Sequence, residues 1–322
     1  MKFGPFTGKF AEAVPTMLEK LRLWEELVDL YEPEVQKNPD DLNLQIHLGT
    51  AQMNAGQVEK AKVTLLEALK KTNDAGLLNR GAYSLADAEI DLPATEQYAR
   101  KSIALFASKS AIWSADTDSS DQRSDQAQMI ATWDTLAWIL CKENHLEEAE
   151  AYARASWRNT LDGVAGLHLG VIEEKSGHAV EALTTYEIAL AELTSIQREM
   201  VDGKPDPDAE SLRKHISQLK EKGVRPNALM EQDSSQKLRT LPVGHLAGKN
   251  VLIPYSLILS GGKLTELQTD RNSSAARSTT DENLVRHANF STWTPSGSPA
   301  KILRKGLLNC HSGVCELVVT PL

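Results

Sequence analysis

Residues 42–69 read LNLQIHLGTAQMNAGQVEKAKVTLLEAL, and the spacing inside this stretch decides the fold. Leu48 and Ala51, then Ala61, Leu65, Ala68 and Leu69, recur at three and four residues, the period of two helices that each carry an apolar stripe. Gly56 stands between the stripes, where a helix can end in a left-handed conformation that costs Gly nothing. Counted from Leu42, the small residues Gly49 and Ala61 take the eighth and twentieth positions. The large residues Leu48 and Leu65 take the seventh and twenty-fourth. Small residues let two paired helices approach closely, and large ones fill the space between neighbouring pairs.

The same slots recur along the chain. Thirty-four residues on, they hold Ala82-Tyr83, Thr95, Ala99, Ser102 and Ile103. A third copy has Trp133, Leu136-Ala137, Asn144, Ala149, Ala153 and Ser156. A fourth, 33 residues later, has Leu169-Gly170, Gly177, Ala182, Tyr186, Ala189 and Leu190. One hairpin of this kind cannot bury its own apolar face, so at least three must stack. Counting backward places Leu27, Tyr31 and the stop Asn38-Pro39-Asp40 in register. Leu23–Gln36 therefore reads as the second helix of a degenerate first repeat, with Pro33 kinking its last turn.

Between the second and third copies the eighth positions are 54 residues apart, 20 more than one period. The excess, roughly 107–126, contains the acidic, turn-rich run from Ser114 to Asp121. It is expected to be a loop with an extra helical turn at Lys109–Trp113, either a flap over a binding surface or a tolerated surface insertion. After the last copy, a helix is expected from Asp208 to Lys222, capped by Asp206 or Asp208 and ending in Lys220 and Lys222. A linker around 224–236 follows.

These slots resemble tetratricopeptide repeats, and Asp134-Thr135-Leu136-Ala137-Trp138 followed by Leu167-His168-Leu169-Gly170 is similar to a bacterial version of the motif. The resemblance implies an all-α superhelical solenoid whose first helices line a concave groove. Its inward positions would be Asn43, Ile46, Thr50, Arg80, Ser84, Asp87, Asp134, Trp138, Leu167 and Glu174, a mixed surface suited to a peptide or protein partner. The paired Lys/Asn pattern by which chaperone-binding relatives hold a terminal carboxylate is not among them. Arg80 and Asp87 are also placed to pair with each other, and Asp134 and Trp138 to pack the neighbouring repeat.

From about Lys249 the apolar period changes from 3.6 to 2. Val251, Ile253, Tyr255, Leu257 and Leu259 alternate along a strand, Gly261-Gly262 signals a tight turn, and Lys263–Leu267 supplies the return strand. A helix is expected from Thr280 to Ala288, and strands over Lys301–Asn309 and Cys315–Val319. This predicts a small α+β domain with an antiparallel sheet. It resembles the C-terminal domain of TonB-like proteins. The whole arrangement is similar to the end of exported bacterial proteins that carry a transglutaminase-like region before their repeats, on the strength of Leu257–Leu264, Ala300–Cys310 and Cys315–Val319. The resemblance implies that any such nucleophile lies upstream of this chain.

The expected organisation is a helical lead-in over 1–22 and an array over 23–200, with repeats at about 23–41, 42–75, 76–108, 130–162 and 163–196. A capping helix and linker occupy 201–235, and the small domain occupies 236–322. Net charge is −9, yet residues 236–322 hold ten Lys/Arg against five Asp/Glu. An acidic arm before a basic module argues against nucleic-acid binding by the arm. The longest apolar stretch, Val251–Leu259, is far shorter than the ~20 residues that span a bilayer. The start Met1-Lys2-Phe3-Gly4-Pro5-Phe6 lacks the apolar core of a signal peptide.

No HExxH, GxSxG or phosphate loop is present. Neither a catalytic set, a cofactor nor a metal is expected, and the chain is read as an interaction scaffold. Cys141 falls in a helical apolar pattern and reads as a small core residue. Cys310 and Cys315 flank four residues with a Gly, short enough for a disulfide. Two free thiols, or zinc ligands with only His311 nearby, are the alternatives. A disulfide would indicate an exported, periplasmic protein, and free thiols a cytoplasmic one.

Overall fold

The computed structural model describes residues 9–195, 200–201, 204–226, 234–246, 250–269 and 279–320. The readings of Met1–Phe6 and of most of the 224–236 linker lie outside the described residues.

Ten helices follow one another without a strand between them: α1 (Lys9–Lys20), α2 (Trp24–Lys37), α3 (Leu42–Asn54), α4 (Val58–Lys71), α5 (Ala75–Asp87), α6 (Leu92–Ser110), α7 (Ser120–Lys142), α8 (Leu146–Thr160), α9 (Gly163–Lys175) and α10 (Ala179–Ser195). A two-stranded ribbon, β1 (Met200–Val201) and β2 (Lys204–Pro205), precedes α11 (Pro207–Glu221). The chain forms two compact units. One holds 1–102 and 197–207, and the other holds 103–196 and 208–322.

Sequence punctuation accounts for the helix ends. Asp41 and Asp74 accept the backbone N–H groups of Leu44 and Leu77 at 3.1 and 2.9 Å, and Asp162 that of Val164 at 3.0 Å. Each satisfies a donor that the first turn leaves orphaned. The first helix of each pair ends in one repeated device. Gly56, Glu89, Asn144 and Gly177 have positive φ. The next residue donates to a carbonyl five positions back: Gln57 to Gln52, Ile90 to Leu85, His145 to Leu140 and His178 to Glu173, at 2.8–2.9 Å. This closure reuses carbonyls that the last turn cannot bond. Arg22 and Leu23 close α1 in the same way onto Leu18, at 2.9 Å. The lead-in therefore supplies the missing first helix of a fifth pair, and α2 continues through Pro33 to Lys37.

The slots are filled as the spacing requires, with one correction. Ala61, Leu65, Ala149, Ala182 and Tyr186 are fully buried. A Cβ built on Gly49 would lie 2.6 Å from Leu65 Cγ, and one on Gly170 would overlap the Tyr186 ring. In the second pair, however, cap to cap and stop to stop run 33 residues (Asp41 to Asp74, Gly56 to Glu89), while Ala61 to Thr95 runs 34. The eighth slot of α5 is therefore Ala82, not Tyr83. The extra residue lies in the turn after α5, where Asp91 also has positive φ.

The insert also departs from expectation. Rather than a loop with one turn at Lys109–Trp113, it lengthens the flanking helices: α6 runs to Ser110 and α7 starts at Ser120. A reciprocal cap between Ser119 and Gln122 opens α7, and Trp113 is buried.

After the short helix α12 (Ser234–Arg239) come β3 (Thr240–His245), β4 (Val251–Ser260), β5 (Lys263–Thr269), α13 (Thr279–Arg286), β6 (Ile302–His311) and β7 (Val314–Val319). They make one antiparallel sheet in the order β3-β7-β6-β4-β5. The strands match the period-2 reading, and β3 was not legible because Pro242 and Gly244 interrupt it. Gly306 leaves room for Leu257 and Leu317, each 3.0 Å from where its Cβ would stand. Within the second unit the sheet leans on the helices. Lys301 N–H donates to Ser110 Oγ at 2.9 Å, and Asn159 Nδ2 donates to the Trp293 carbonyl at 2.7 Å.

Candidate functional site

In the first unit the expected inward residues divide between core and surface. Ile46 is fully buried and belongs to the core, while Asn43 and Asp87 are exposed. Thr50 and Ser84 meet across α3 and α5, with 3.1 Å between their hydroxyl oxygens. Arg80 does not pair with Asp87. It reaches Glu19 on α1 at 2.7 Å, both side chains being more than a third exposed. Beside that pair, Tyr31 stacks on His47 with ring centroids 5.6 Å apart. Burial and then the Arg80 charge hold the His47 pKa below its ordinary value. Burial followed by Glu19 pushes the Tyr31 hydroxyl up. Glu19 lies on α1, which carries no regular repeat signature, and nothing in the spacing of Tyr31 and His47 announces that their rings meet across α2 and α3.

In the second unit Asp134 and Trp138, one turn apart on α7, both engage His168 on α9. The Asp134 carboxylate lies 2.9 Å from His168 Nδ1. The Trp138 ring stacks on the imidazole with centroids 4.3 Å apart and planes 15° from parallel. Lys142 Nζ sits 4.7 Å from the Trp138 centroid, a cation–π arrangement. His168 is only 4% exposed, so Asp134 orients a buried ring instead of presenting a base to solvent. His168 lies one residue beyond the slot equivalent to Asp134 in the next repeat, so the spacing of the copies alone did not mark it as the partner.

Leu167 is buried. Glu174 is engaged by α10 and α11: its Oε2 accepts the Tyr186 hydroxyl at 3.2 Å and lies 3.0 Å from His215 Nδ1. Tyr186 and His215 stack at 4.9 Å, and Lys222 stands 3.8 Å from the other carboxylate oxygen. The structure thus brings Asp134 together with Trp138, and Thr50 with Ser84. Ile46 and Leu167 are buried, and Glu174 is held by Tyr186, His215 and Lys222.

One strongly perturbed acid was not anticipated. Glu173, 1% exposed, has its pKa raised to about 7, chiefly by burial, although Arg154 opposes the shift. Arg154 bridges Glu150 at 2.6 Å and Glu173 at 2.9 Å, and Thr185 donates to Glu173 at 2.8 Å. Among the described residues no group of three or more His, Cys, Asp or Glu could hold a metal ion, and no helix is long and apolar enough to cross a membrane.

Cys310 and Cys315 face each other in the β6–β7 register and are joined by a disulfide. The turn is tighter than expected: only Ser312 and Gly313, both with positive φ, leave the ladder. Cys141 is free and buried. Compared with models of protein families and with curated proteins, the chain matches none.

Proposed function

We propose that this chain is a non-catalytic interaction scaffold of the tetratricopeptide type, whose first helices hold a peptide or protein partner in the bacterial cell envelope. The observation that carries the reading is the recurrence of one left-handed helix closure at Gly56, Glu89, Asn144 and Gly177. The tight Gly49–Leu65 and Gly170–Tyr186 contacts within pairs accompany it. A repeated pair with a small-on-large contact and a fixed stop is what the tetratricopeptide slots demand, and such arrays work by presenting side chains from successive first helices.

The candidate contacts form two groups. In the first unit, Arg80 with Glu19 offers a paired polar surface to an extended backbone, while Ser84 is buried against Thr50 and the Arg80 carbonyl. In the second, half-buried Trp138 offers an aromatic anchor. The Cys310–Cys315 disulfide supports an oxidising compartment, and the five-stranded tail fits a TonB-like module. A cytoplasmic adaptor of the same architecture, or the accessory half of a transglutaminase-like enzyme, is the alternative.

The test is capture of partners from a bacterial envelope extract by the immobilised full chain, beside a Trp138→Ala, Arg80→Ala double variant of matched helicity. A partner retained by the parent and lost by the variant is expected. Equal capture by both would remove the groove reading.

A further inference from the structure

The strand β7 is shorter than β6 at one end: Val319 pairs with Gly306, and among the described residues no strand pairs with 302–304 on that side. The open edge is covered by the first turns of α7. Gln126 Oε1 accepts the Leu303 N–H, and Thr320 N–H donates to the Lys305 carbonyl at 2.9 Å. Between helix and edge lies a pocket of about 90 Å³ lined by Asp118, Gln122, Arg123, Leu303, Arg304 and Lys305, with Gln126 and Thr320 closing it. At ~10–15 Å³ per water, that is room for several waters, or for one carboxylate or phosphate group.

Strand alternation places Arg304 on the core face with Ile302, Leu308 and Cys310, and its side chain is 2% exposed. Its terminal nitrogen donates to the Thr320 carbonyl, but Nε is buried with no partner. Among the described residues no carboxylate lies within ion-pair distance of it, and its charged neighbour is another cation, Arg239, whose Nε is likewise buried and unpartnered. A buried guanidinium without a counter-charge is costly. One more cation, Arg123, faces the same pocket, since Lys305, the next residue on the strand, turns its side chain to the opposite face. Lys305 Nζ donates to Ser256 at 2.8 Å, and Arg123 pairs with Asp118 at the exposed rim. Among the described residues Asp118 is the one carboxylate of the lining, and Arg123 already pairs with it.

We infer that this pocket is an oxyanion site, in which Arg304, with Arg123, binds a single carboxylate or phosphate group. Arginine supplies the planar donor fork that such groups accept. The site lies apart from the α7–α9 surface of the functional proposal and does not depend on it.

The test is thermal unfolding of the full chain titrated with sodium phosphate or sodium acetate against chloride at constant ionic strength. A saturable rise in melting temperature with either anion supports the site, and whichever anion acts identifies its class. Arg304→Met should abolish the rise, and Arg123→Ala should weaken apparent affinity roughly tenfold, the value of one charge-assisted hydrogen bond. If Arg304→Met fails to fold, Arg123→Ala carries the comparison. No rise in the parent, or an equal rise in parent and variants, overturns the inference.

Discussion

Gly170 faces Tyr186 across the α9–α10 pair so closely that a methyl group on it would overlap Cδ1, Cε1 and Cζ of the ring. The ring is fully buried and cannot swing away. Replacing a helical Gly by Ala ordinarily stabilises by up to about 1 kcal/mol. Here overpacking, worth about 1–3 kcal/mol, opposes that gain and wins. Gly170→Ala should therefore lower the urea midpoint. If it raises the midpoint, the small-on-large slot is misassigned.

That slot marks the limit of what the residues alone disclose. Gly49, Gly170, Gly177 and Asn144 are legible because only a small or left-handed-tolerant residue suits their positions. Glu89 is not, because nothing about a glutamate announces positive φ, and so α5 was read one residue out of register. The alternating strand Val251–Leu259 was legible from its period, whereas β3 was hidden by Pro242 and Gly244. The pairing of Arg80 with Glu19 was beyond reach, since it joins residues 61 apart through a helix that lacks the repeat signature.

Glu173 makes stability depend on pH in a definite direction. Its folded pKa, about 7, lies above the ordinary carboxylate value, so the native state holds a proton that the unfolded chain releases. Stability from this group is therefore present at low pH and is lost as pH rises from about 4.5 to about 7. Arg154 keeps Glu150 as a partner after substitution. Glu173→Gln should thus gain on the parent as pH rises across that window, by up to roughly 3 kcal/mol. Chemical denaturation of both proteins at pH 5 and pH 8 checks it, and an advantage that shrinks with pH refutes the sign.

Trp138 and Arg80 separate binding from folding. The Arg80–Glu19 pair is well exposed, and such pairs contribute under about 1 kcal/mol, so Arg80→Ala should leave the melting temperature nearly unchanged. Trp138→Ala removes the ring stacked on His168 and should cost more stability, yet leave helicity intact. If the surface binds as proposed, each variant weakens affinity for a captured partner, Trp138→Ala by at least about tenfold. Isothermal titration with matched folded fractions measures it, and unchanged affinity for both variants rejects these residues as contacts.

The last prediction separates compartments. Cys310 and Cys315 are buried and directly opposed in the ladder, and Ser312-Gly313 supplies the left-handed turn that two-residue hairpins favour. The hairpin holds the sulfurs together before they are oxidised, so closure removes little further entropy. The closed loop is also short, and the chain-entropy argument allows it no more than about 2 kcal/mol. Cys310→Ser with Cys315→Ser should accordingly melt lower but still fold. Cys141 is buried, and burial raises its thiol pKa, so it should resist alkylation in the native state. Thiol counting on freshly isolated protein, denatured without reductant, should find one thiol, assigned to Cys141 by peptide mass. Three thiols would mean that the bond is not made in the cell, and the envelope proposal would yield to the cytoplasmic adaptor.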